Sequence, residues 1–287
     1  MSFSEKHYSG LSKTGPHKIF YNDWGPADGN PIICVHGLTG NGYDFDFLAE
    51  DLIKHGHRLI CVDMPGRGRS DLLADPLDYN YEQYLQDLMA LLAHLDLTEP
   101  ASVDWLGVSM GGLLGIYLAS MPNTPIRRMI LNDVGPEVPE AALNFIHKVI
   151  SQTYIFDTIP DLEKRMRETR GLTWGPVTDE QWKHMAEHNA RATDDGRITY
   201  SYDPRIALIF EEHPIGDADL WEHWDNITCP LLVIQGKKSM LLTKKILKKM
   251  KKRGTAFDLE IFKGCGHVPS LMAPDQIDVI RDWLASS

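Results

Sequence analysis

Short, continuous apolar runs alternate with longer segments of helical periodicity along this 287-residue chain. The runs at residues 31–36 (PIICVH) and 58–64 (RLICVDM) are apolar at consecutive positions, which is typical of strands buried on both faces of a parallel sheet. Strands and helices that alternate in this way predict βαβ units. The chain is therefore expected to adopt an α/β fold built on one mostly parallel sheet.

The same patterns locate the individual elements. Predicted strands lie at residues 18–24, 31–36, 58–64, 102–108, 128–133, 230–236 and 257–262. Predicted helices lie at residues 43–54, 81–95, 110–120 and 274–284. Parallel strands joined by helices leave their carboxyl ends at one edge of the sheet, where α/β proteins place their binding sites.

The alternation stops between residues 135 and 225. This segment shows helical patterns only, and it is rich in aromatic residues. We expect most of these rings to fill a small core of the segment itself and some to face a crevice, because lids of this kind wall apolar pockets. The predicted division is a core domain of residues 1–134 and 226–287 with a helical cap of residues 135–225.

The net charge of the chain disfavours anionic partners. It carries 29 basic and 40 acidic side chains, a formal net charge of −11 that disfavours nucleic acid and anionic membranes as partners. The first residues lack the apolar stretch of a secretory signal, and no apolar run reaches the roughly 18 residues of a membrane span. We expect a cytoplasmic protein that acts on a small molecule, and the sequence leaves a homodimer open.

One basic block contrasts with this acidic background. Residues 237–253 contain nine basic residues and no acidic one. Leu242, Ile246, Leu247 and Met250 recur within the block at helical spacing. The pattern predicts a surface helix with its apolar stripe facing inward and its lysines in water, and binding to an anionic surface or polymer is the alternative.

The strongest chemical signal is the G-x-S-x-G motif at residues 107–111. It follows a predicted strand and precedes a predicted helix, which is the context that a nucleophile elbow requires. The glycines permit a sharp turn that presents Ser109 above the carboxyl end of the sheet. The helix that follows directs its positive N-terminal end at the reacting centre. Ser109 is the predicted nucleophile.

An oxyanion hole needs two N–H donors directed at one point. The residue after the nucleophile, Met110, supplies one candidate N–H. The loop after an earlier strand, which contains His36 and Gly37, supplies the second through Leu38. We expect His36 to brace this loop rather than to take part in the reaction.

A serine hydroxyl is a weak nucleophile until a base takes its proton. His267 lies in the segment Gly264-Cys265-Gly266-His267, just past the last predicted strand. A short glycine-flanked loop at this position can present an imidazole at the same sheet edge as Ser109. His267 is therefore the predicted base.

The glycine-rich loop at residues 63–71 lacks the spacing of a phosphate-binding loop. We interpret it as a tight turn that borders the nucleophile, and contact of Arg67 and Arg69 with an anionic substrate is the alternative. No His, Glu or Asp cluster has metal-ligand spacing. Acyl transfer by a serine needs no cofactor, and none is expected.

Five motifs together resemble the α/β-hydrolase fold family, in particular its bacterial esterase-like members with a helical cap. They are HGLTG, DMPGRGRSD, GVSMGG, LVIQG and GCGHVPSLMAPDQI, and the resemblance extends from about residue 17 to 285. It implies a mostly parallel eight-stranded sheet and a catalytic order of serine, acid and histidine along the chain. Ser109 and His267 fit that order.

The chain differs from the family pattern at the usual position of the catalytic acid. Relatives usually place an aspartate in the loop after the strand that matches PLLVIQG, where this chain has Met240. Some members of the fold take the acid from the strand end after the nucleophile helix, and Asp133 occupies that position. Asp133 is the predicted acid, with an impaired or engineered site as the alternative. The weaker carboxylate candidates are Asp217, Asp219 and Asp225.

These residues predict a serine hydrolase that cleaves carboxylic esters of small to medium apolar acyl or aryl groups. Two alternatives stay open at this point. A lactone or carbon–carbon bond hydrolase would use the same triad, and a ligand-binding protein with a disabled site would explain Met240.

Overall fold

The computed structural model describes residues 3–212 and 218–286, and its main feature is an eight-stranded sheet. In chain order its strands are β1 (Phe3–Ser12), β2 (Gly15–Trp24), β3 (Asn30–Val35), β4 (His57–Val62), β5 (Val103–Val108), β6 (Ile126–Asn132), β7 (Leu231–Gly236) and β8 (Asp258–Phe262). Their spatial order is β1-β2-β4-β3-β5-β6-β7-β8. β2 pairs antiparallel with β1 and with β4, and the other strand pairs of the sheet are parallel. The predicted fold class is confirmed.

Ten α-helices accompany the sheet in the described residues. They are α1 (Asp46–Leu52), α2 (Tyr81–His94), α3 (Met110–Ala119), α4 (Glu140–Ile150), α5 (Ile159–Arg170), α6 (Asp179–His188), α7 (Ile209–Glu212), α8 (Trp221–Asp225), α9 (Lys244–Lys252) and α10 (Pro274–Ser286). Short 3-10 turns occupy Gly42–Phe45, Ile53–His55, Pro76–Asp78 and Pro204–Ala207. None of the helices in this part of the chain is both long enough and apolar enough to span a membrane.

The two faces of the sheet bury separate cores. Alternate residues of β3 show this arrangement, since Ile33 and Val35 pack with α2, α3 and α9, whereas Ile32 and Cys34 pack with α1 and α10. Strands covered on both sides must be apolar at every position, which explains the continuous apolar run in the sequence. The strands β3, β5 and β6 are therefore covered on both faces up to their carboxyl ends.

The N-terminal strand β1 was not predicted. It is an edge strand that pairs with β2 in an antiparallel hairpin, and most of its first half is exposed. An exposed edge strand carries little apolar periodicity, so the polar stretch from Phe3 onward gave no strand signal.

The basic block forms the predicted surface helix. Its residues fold into α9, in which Ile246, Leu247 and Met250 are buried while most of the lysines face solvent. Thr243 begins this helix as an N-cap by accepting a hydrogen bond from the Ile246 N–H at 3.3 Å. Tertiary packing of the apolar stripe thus stabilises a helix whose lysines repel one another.

The segment between β6 and β7 contains helices α4 to α8, in agreement with the predicted helical pattern. The expectation of helices only was wrong, because its described part also has two small antiparallel pairs, Glu137–Val138 with Ala218–Asp219 and Ala190–Ala192 with Ile198–Tyr200. These strands have two or three residues each, which is too short for an alternating pattern to be visible in the sequence. None of them joins the main sheet.

Candidate active site

Ser109 lies at the turn between β5 and α3, with φ 50° and ψ −111°. A non-glycine residue rarely adopts this conformation, and such strain is concentrated at functional sites. The flanking positions have no room for a side chain. A Cβ atom at Gly107 would collide with the Gly111 carbonyl, and one at Gly111 would collide with the Val35 carbonyl. The sequence motif therefore has the geometry of a nucleophile elbow.

The side chains of three predicted site residues form a continuous hydrogen-bonded chain. His267 Nε2 lies 2.9 Å from Ser109 Oγ, and His267 Nδ1 lies 2.7 Å from Asp133 Oδ2. A carboxylate can only accept a hydrogen bond, so Nδ1 carries the hydrogen and Nε2 is left to accept from the serine hydroxyl. This tautomer is the one in which His267 can remove the proton of Ser109.

Asp133 follows β6 directly and is fully buried. Its second oxygen, Oδ1, accepts the N–H of Gly236 at 2.8 Å, at the end of the neighbouring strand β7. Burial raises the pKa of Asp133, and the hydrogen bonds from His267, Ser239 and Gly236 act in the opposite direction. The carboxylate is thus held by two strand ends and has one oxygen free to orient His267.

Met240 occupies the sequence position at which relatives carry the acid, but it is not the residue that contacts His267 Nδ1. Its side chain is 54% exposed on the loop after β7. The weaker carboxylate candidates are engaged elsewhere, since Asp219 accepts the Trp221 N–H and Asp225 pairs with Arg253. Asp217 lies outside the described residues. The carboxylate that contacts His267 is therefore that of Asp133.

The two candidate oxyanion donors belong to segments that adjoin Ser109. Met110 is the first residue of α3, and the first N–H groups of a helix have no partner within the helix. The loop that carries Leu38 approaches from β3, and a Cβ atom at Gly37 would lie 3.6 Å from the Cβ of Ser109. The two segments that carry the predicted donors therefore both lie next to Ser109.

His36 fastens this loop to the sheet. Its Nδ1 lies 2.6 Å from the Gly37 carbonyl oxygen, and its Nε2 accepts the Met64 N–H at 3.0 Å. Complete burial lowers the pKa of His36 to about 4. The imidazole is therefore neutral at physiological pH, which suits the bracing role expected from the sequence.

Sequence reasoning missed two residues that support the site. Arg67 was interpreted as part of a turn, but its guanidinium is fully buried and donates to the Leu38 carbonyl at 2.9 Å. The Asn132 amide donates to the Pro269 carbonyl at 2.8 Å and so ties β6 to the loop of His267. Both contacts join distant segments, and the sequence carries no local signal for either of them.

Arg69, the other arginine of that loop, pairs with buried Asp63 at 2.8 Å. Asp63 also accepts the Gly42 N–H at 2.6 Å, so this pair holds the loop after β4 against the loop after β3. In residues 3–212 and 218–286 there is no group of three or more His, Cys, Asp or Glu side chains arranged to hold a metal ion.

Comparisons with known proteins identify the family of this chain. The alpha/beta hydrolase family profile matches residues 32–278. A 3-hydroxybutyrate-oligomer hydrolase from Cupriavidus necator is 35% identical over an alignment of 286 residues that covers 96% of each chain. A non-heme chloroperoxidase from Burkholderia pyrrocinia is 37% identical over 242 residues, 78% of this chain and 80% of that relative.

The fold agrees as well. The crystal structure of an alpha/beta hydrolase from Novosphingobium aromaticivorans superposes with a TM-score of 0.86 at 33% identity, covering 99% of this chain and 98% of that one. The motifs that suggested the resemblance, the sheet topology and the family profile therefore lead to the same assignment. This chain belongs to the alpha/beta hydrolase family.

Proposed function

We propose that this protein is a serine hydrolase of carboxylic esters. The observation that carries the proposal is the chain of hydrogen bonds from Ser109 through His267 to Asp133, with distances of 2.9 and 2.7 Å. A hydroxyl, an imidazole of fixed tautomer and a buried carboxylate in this order are the parts that nucleophilic acyl transfer needs.

The reaction proceeds in two halves. His267 Nε2 takes the proton of Ser109 while Oγ forms a bond to the ester carbonyl carbon, and the N–H groups of Leu38 and Met110 hold the oxygen that becomes negative. The bond to the alcohol oxygen then breaks, and His267 returns the proton to that alcohol. Water repeats these steps on the acyl-enzyme and releases the carboxylic acid.

Asp133 serves as the acid of the triad in this proposal. It occupies a different strand end from the usual aspartate, but its carboxylate also bonds to Gly236 at the end of β7. Because β6 and β7 are adjacent in the sheet, a carboxylate from either strand end can reach the same imidazole nitrogen. Asp133 thereby supplies the carboxylate that is lost where Met240 stands in place of the usual aspartate.

Residues 135–225 act as a cap over this site, with residues 1–134 and 226–287 as the catalytic core. Two contacts support the division. The Gly266 N–H donates to the Thr173 carbonyl at 2.8 Å, and the Ser270 N–H donates to the Trp174 carbonyl at 3.1 Å. The inserted segment therefore packs directly on the loop that carries His267, where a cap can wall the pocket.

The relative from Cupriavidus necator directs the choice of substrates. Its name states hydrolysis of 3-hydroxybutyrate oligomers, which are chains of hydroxy acid joined by ester bonds. Short aliphatic esters and such oligomers are accordingly the substrates to compare first.

We expect the purified protein to hydrolyse p-nitrophenyl butyrate with a kcat/KM on the order of 10⁴ M⁻¹s⁻¹ or more, the lower end of the usual enzymatic range. The matched p-nitroanilide and a γ-lactone should react far more slowly, because the proposal assigns an alcohol as the leaving group and an open-chain acyl group. Release of p-nitrophenol that does not exceed the rate in buffer would contradict the proposal. A preference for the lactone would favour lactone hydrolysis by the same residues.

A further inference from the structure

The arginines of this chain fall into two groups. Nine of the thirteen lie within 4 Å of a carboxylate. The other four are Arg67, Arg165, Arg170 and Arg191. Within the described part of the chain, none of them has a carboxylate partner at that distance. In a protein with a net charge of −11, acidic side chains are abundant, so four arginines without one are unexpected.

These four arginines lie around one cluster of tyrosines. The guanidinium of Arg170 lies 5.5 Å from the centre of the Tyr200 ring, which stacks on Tyr202 with 5.8 Å between the ring centres. Tyr202 forms a backbone bridge with Arg67. Arg191 donates to the carbonyl of Ser201, between the two tyrosines. Three of the four arginines therefore contact the segment of residues 200–202.

Arg165 completes the cluster from the same helix as Arg170. Its guanidinium lies 5.6 Å from the ring centre of Tyr154, and this ring packs edge to face on Tyr200. Arg170 itself also lies 5.2 Å from the Trp174 ring centre. Aromatic faces attract these cations, but they leave the N–H donors of the guanidinium without an anionic acceptor.

Arg170 is connected to the loop of the base. Its main-chain carbonyl accepts the N–H of Thr173 at 2.9 Å. The Thr173 carbonyl in turn accepts the N–H of Gly266, the residue before His267, at 2.8 Å. The end of α5 that carries Arg170 is therefore joined through Thr173 to the loop of His267.

The charge of Arg170 also acts on Asp44, which follows the loop of Leu38. Burial raises the pKa of Asp44 to about 7, and the charge of Arg170 opposes this shift. Asp44 accepts the Asn41 N–H at 3.3 Å and lies in the 3-10 turn Gly42–Phe45, directly after that loop. Arg170 is therefore near this carboxyl group without forming an ion pair with it.

We propose that Arg170 binds a carboxylate of the substrate, so that the preferred substrates are esters that carry a free carboxylate group. This inference rests on the proposed ester hydrolysis and specifies its substrate class. Three features support it: a partly buried arginine with no carboxylate within 4 Å, main-chain hydrogen bonds that join its helix end to the loop of His267, and three further arginines around the same tyrosines. An oligomer of a hydroxy acid has both the ester bond and the terminal carboxylate that this arrangement fits.

In this proposal Arg67 attracts the substrate through its charge without touching it. It is fully buried, and its Nη1 donates to the Pro65 carbonyl and the Tyr84 hydroxyl, each at 2.7 Å. The other terminal nitrogen, Nη2, has no hydrogen-bond partner among the described residues. A buried cation is costly unless negative charge comes near it, and an anionic substrate would supply that charge.

The test compares the dimer of 3-hydroxybutyrate with the methyl ester of the same dimer, which differs by the loss of the negative charge. The measured quantity is the ratio of kcat/KM for the free acid to that for the methyl ester. We expect the wild-type ratio to exceed 1. Arg170→Gln should lower it about 10- to 100-fold, the effect of losing a charge-assisted hydrogen bond.

Two variants separate this role from a general effect of charge. Arg170→Lys keeps the cation and should retain part of the preference. Arg197→Gln removes an equal charge from an exposed pair with Asp195 and should keep the wild-type ratio. The ratio does not change when a variant merely loses active protein, because both substrates then lose equally.

An unchanged ratio in Arg170→Gln would overturn the assignment of Arg170. A wild-type enzyme that hydrolyses the methyl ester as fast as the free acid would also overturn it, and it would leave the proposed ester hydrolysis intact. No hydrolysis of either compound by a protein that cleaves p-nitrophenyl butyrate would overturn the proposed substrate class and leave ester hydrolysis intact.

Discussion

Ser109→Ala is expected to lower kcat for p-nitrophenyl butyrate on the order of 10⁶-fold, as loss of the nucleophile does in subtilisin. Without Oγ no acyl-enzyme forms, and only the binding of the substrate and the oxyanion donors remain. The substitution removes a half-buried hydroxyl and leaves the Gly107 and Gly111 turn in place. KM should therefore change much less than kcat.

Ser151→Ala is the matched control. Ser151 is an exposed serine that follows α4, and its hydroxyl donates to the His147 carbonyl. This variant should keep the wild-type rate. If Ser109→Ala keeps the wild-type rate as well, with an unchanged melting temperature, Ser109 is not the nucleophile.

Asp133→Asn is expected to lower kcat about 10⁴-fold, as the same exchange does in the serine-protease triad. The amide is nearly the same size, so the Gly236 N–H can still donate to its oxygen. If the NH₂ group faces His267, the imidazole must turn its lone pair to Nδ1, and Nε2 can no longer accept from Ser109. The imidazolium that forms during the reaction also loses its anionic partner.

The residue at the usual position of the acid provides the discriminating variant. Met240→Asp should add little to the wild-type rate, because His267 already has a carboxylate at 2.7 Å. Asp225→Asn, which removes an exposed carboxylate paired with Arg253, should leave the rate within about twofold. If Met240→Asp raises kcat by about 10²–10⁴ and Asp133→Asn changes little, the site is impaired and Asp133 is structural.

The sequence predicts features set by neighbouring residues better than it predicts contacts between distant segments. The turn at Ser109 is set within a few residues, because a buried strand, two glycines and a small apolar helix follow one another directly. The acid depends on the pairing of β6 with β7, two strands that lie about a hundred residues apart in the chain. The sequence therefore offered Asp133 as one option, and the distance to His267 became known only from the fold.

The same reasoning explains the other differences. β1 is held by pairing with β2 rather than by burial of its own residues, so its exposed polar stretch has no strand pattern. Whether an arginine finds a carboxylate is likewise a property of the tertiary structure. Arg67 and Arg69 are two residues apart in the sequence. Arg69 pairs with Asp63, whereas Arg67 donates to three uncharged acceptors.

The central claim is that Ser109 is the residue that bonds to the acyl group. It is tested most directly by treating the protein with a serine-reactive fluorophosphonate and measuring its intact mass, followed by peptide mapping. We expect one adduct per chain, located on Ser109, and no adduct on Ser109→Ala. An unmodified wild-type protein, or an adduct on another residue, would contradict the claim.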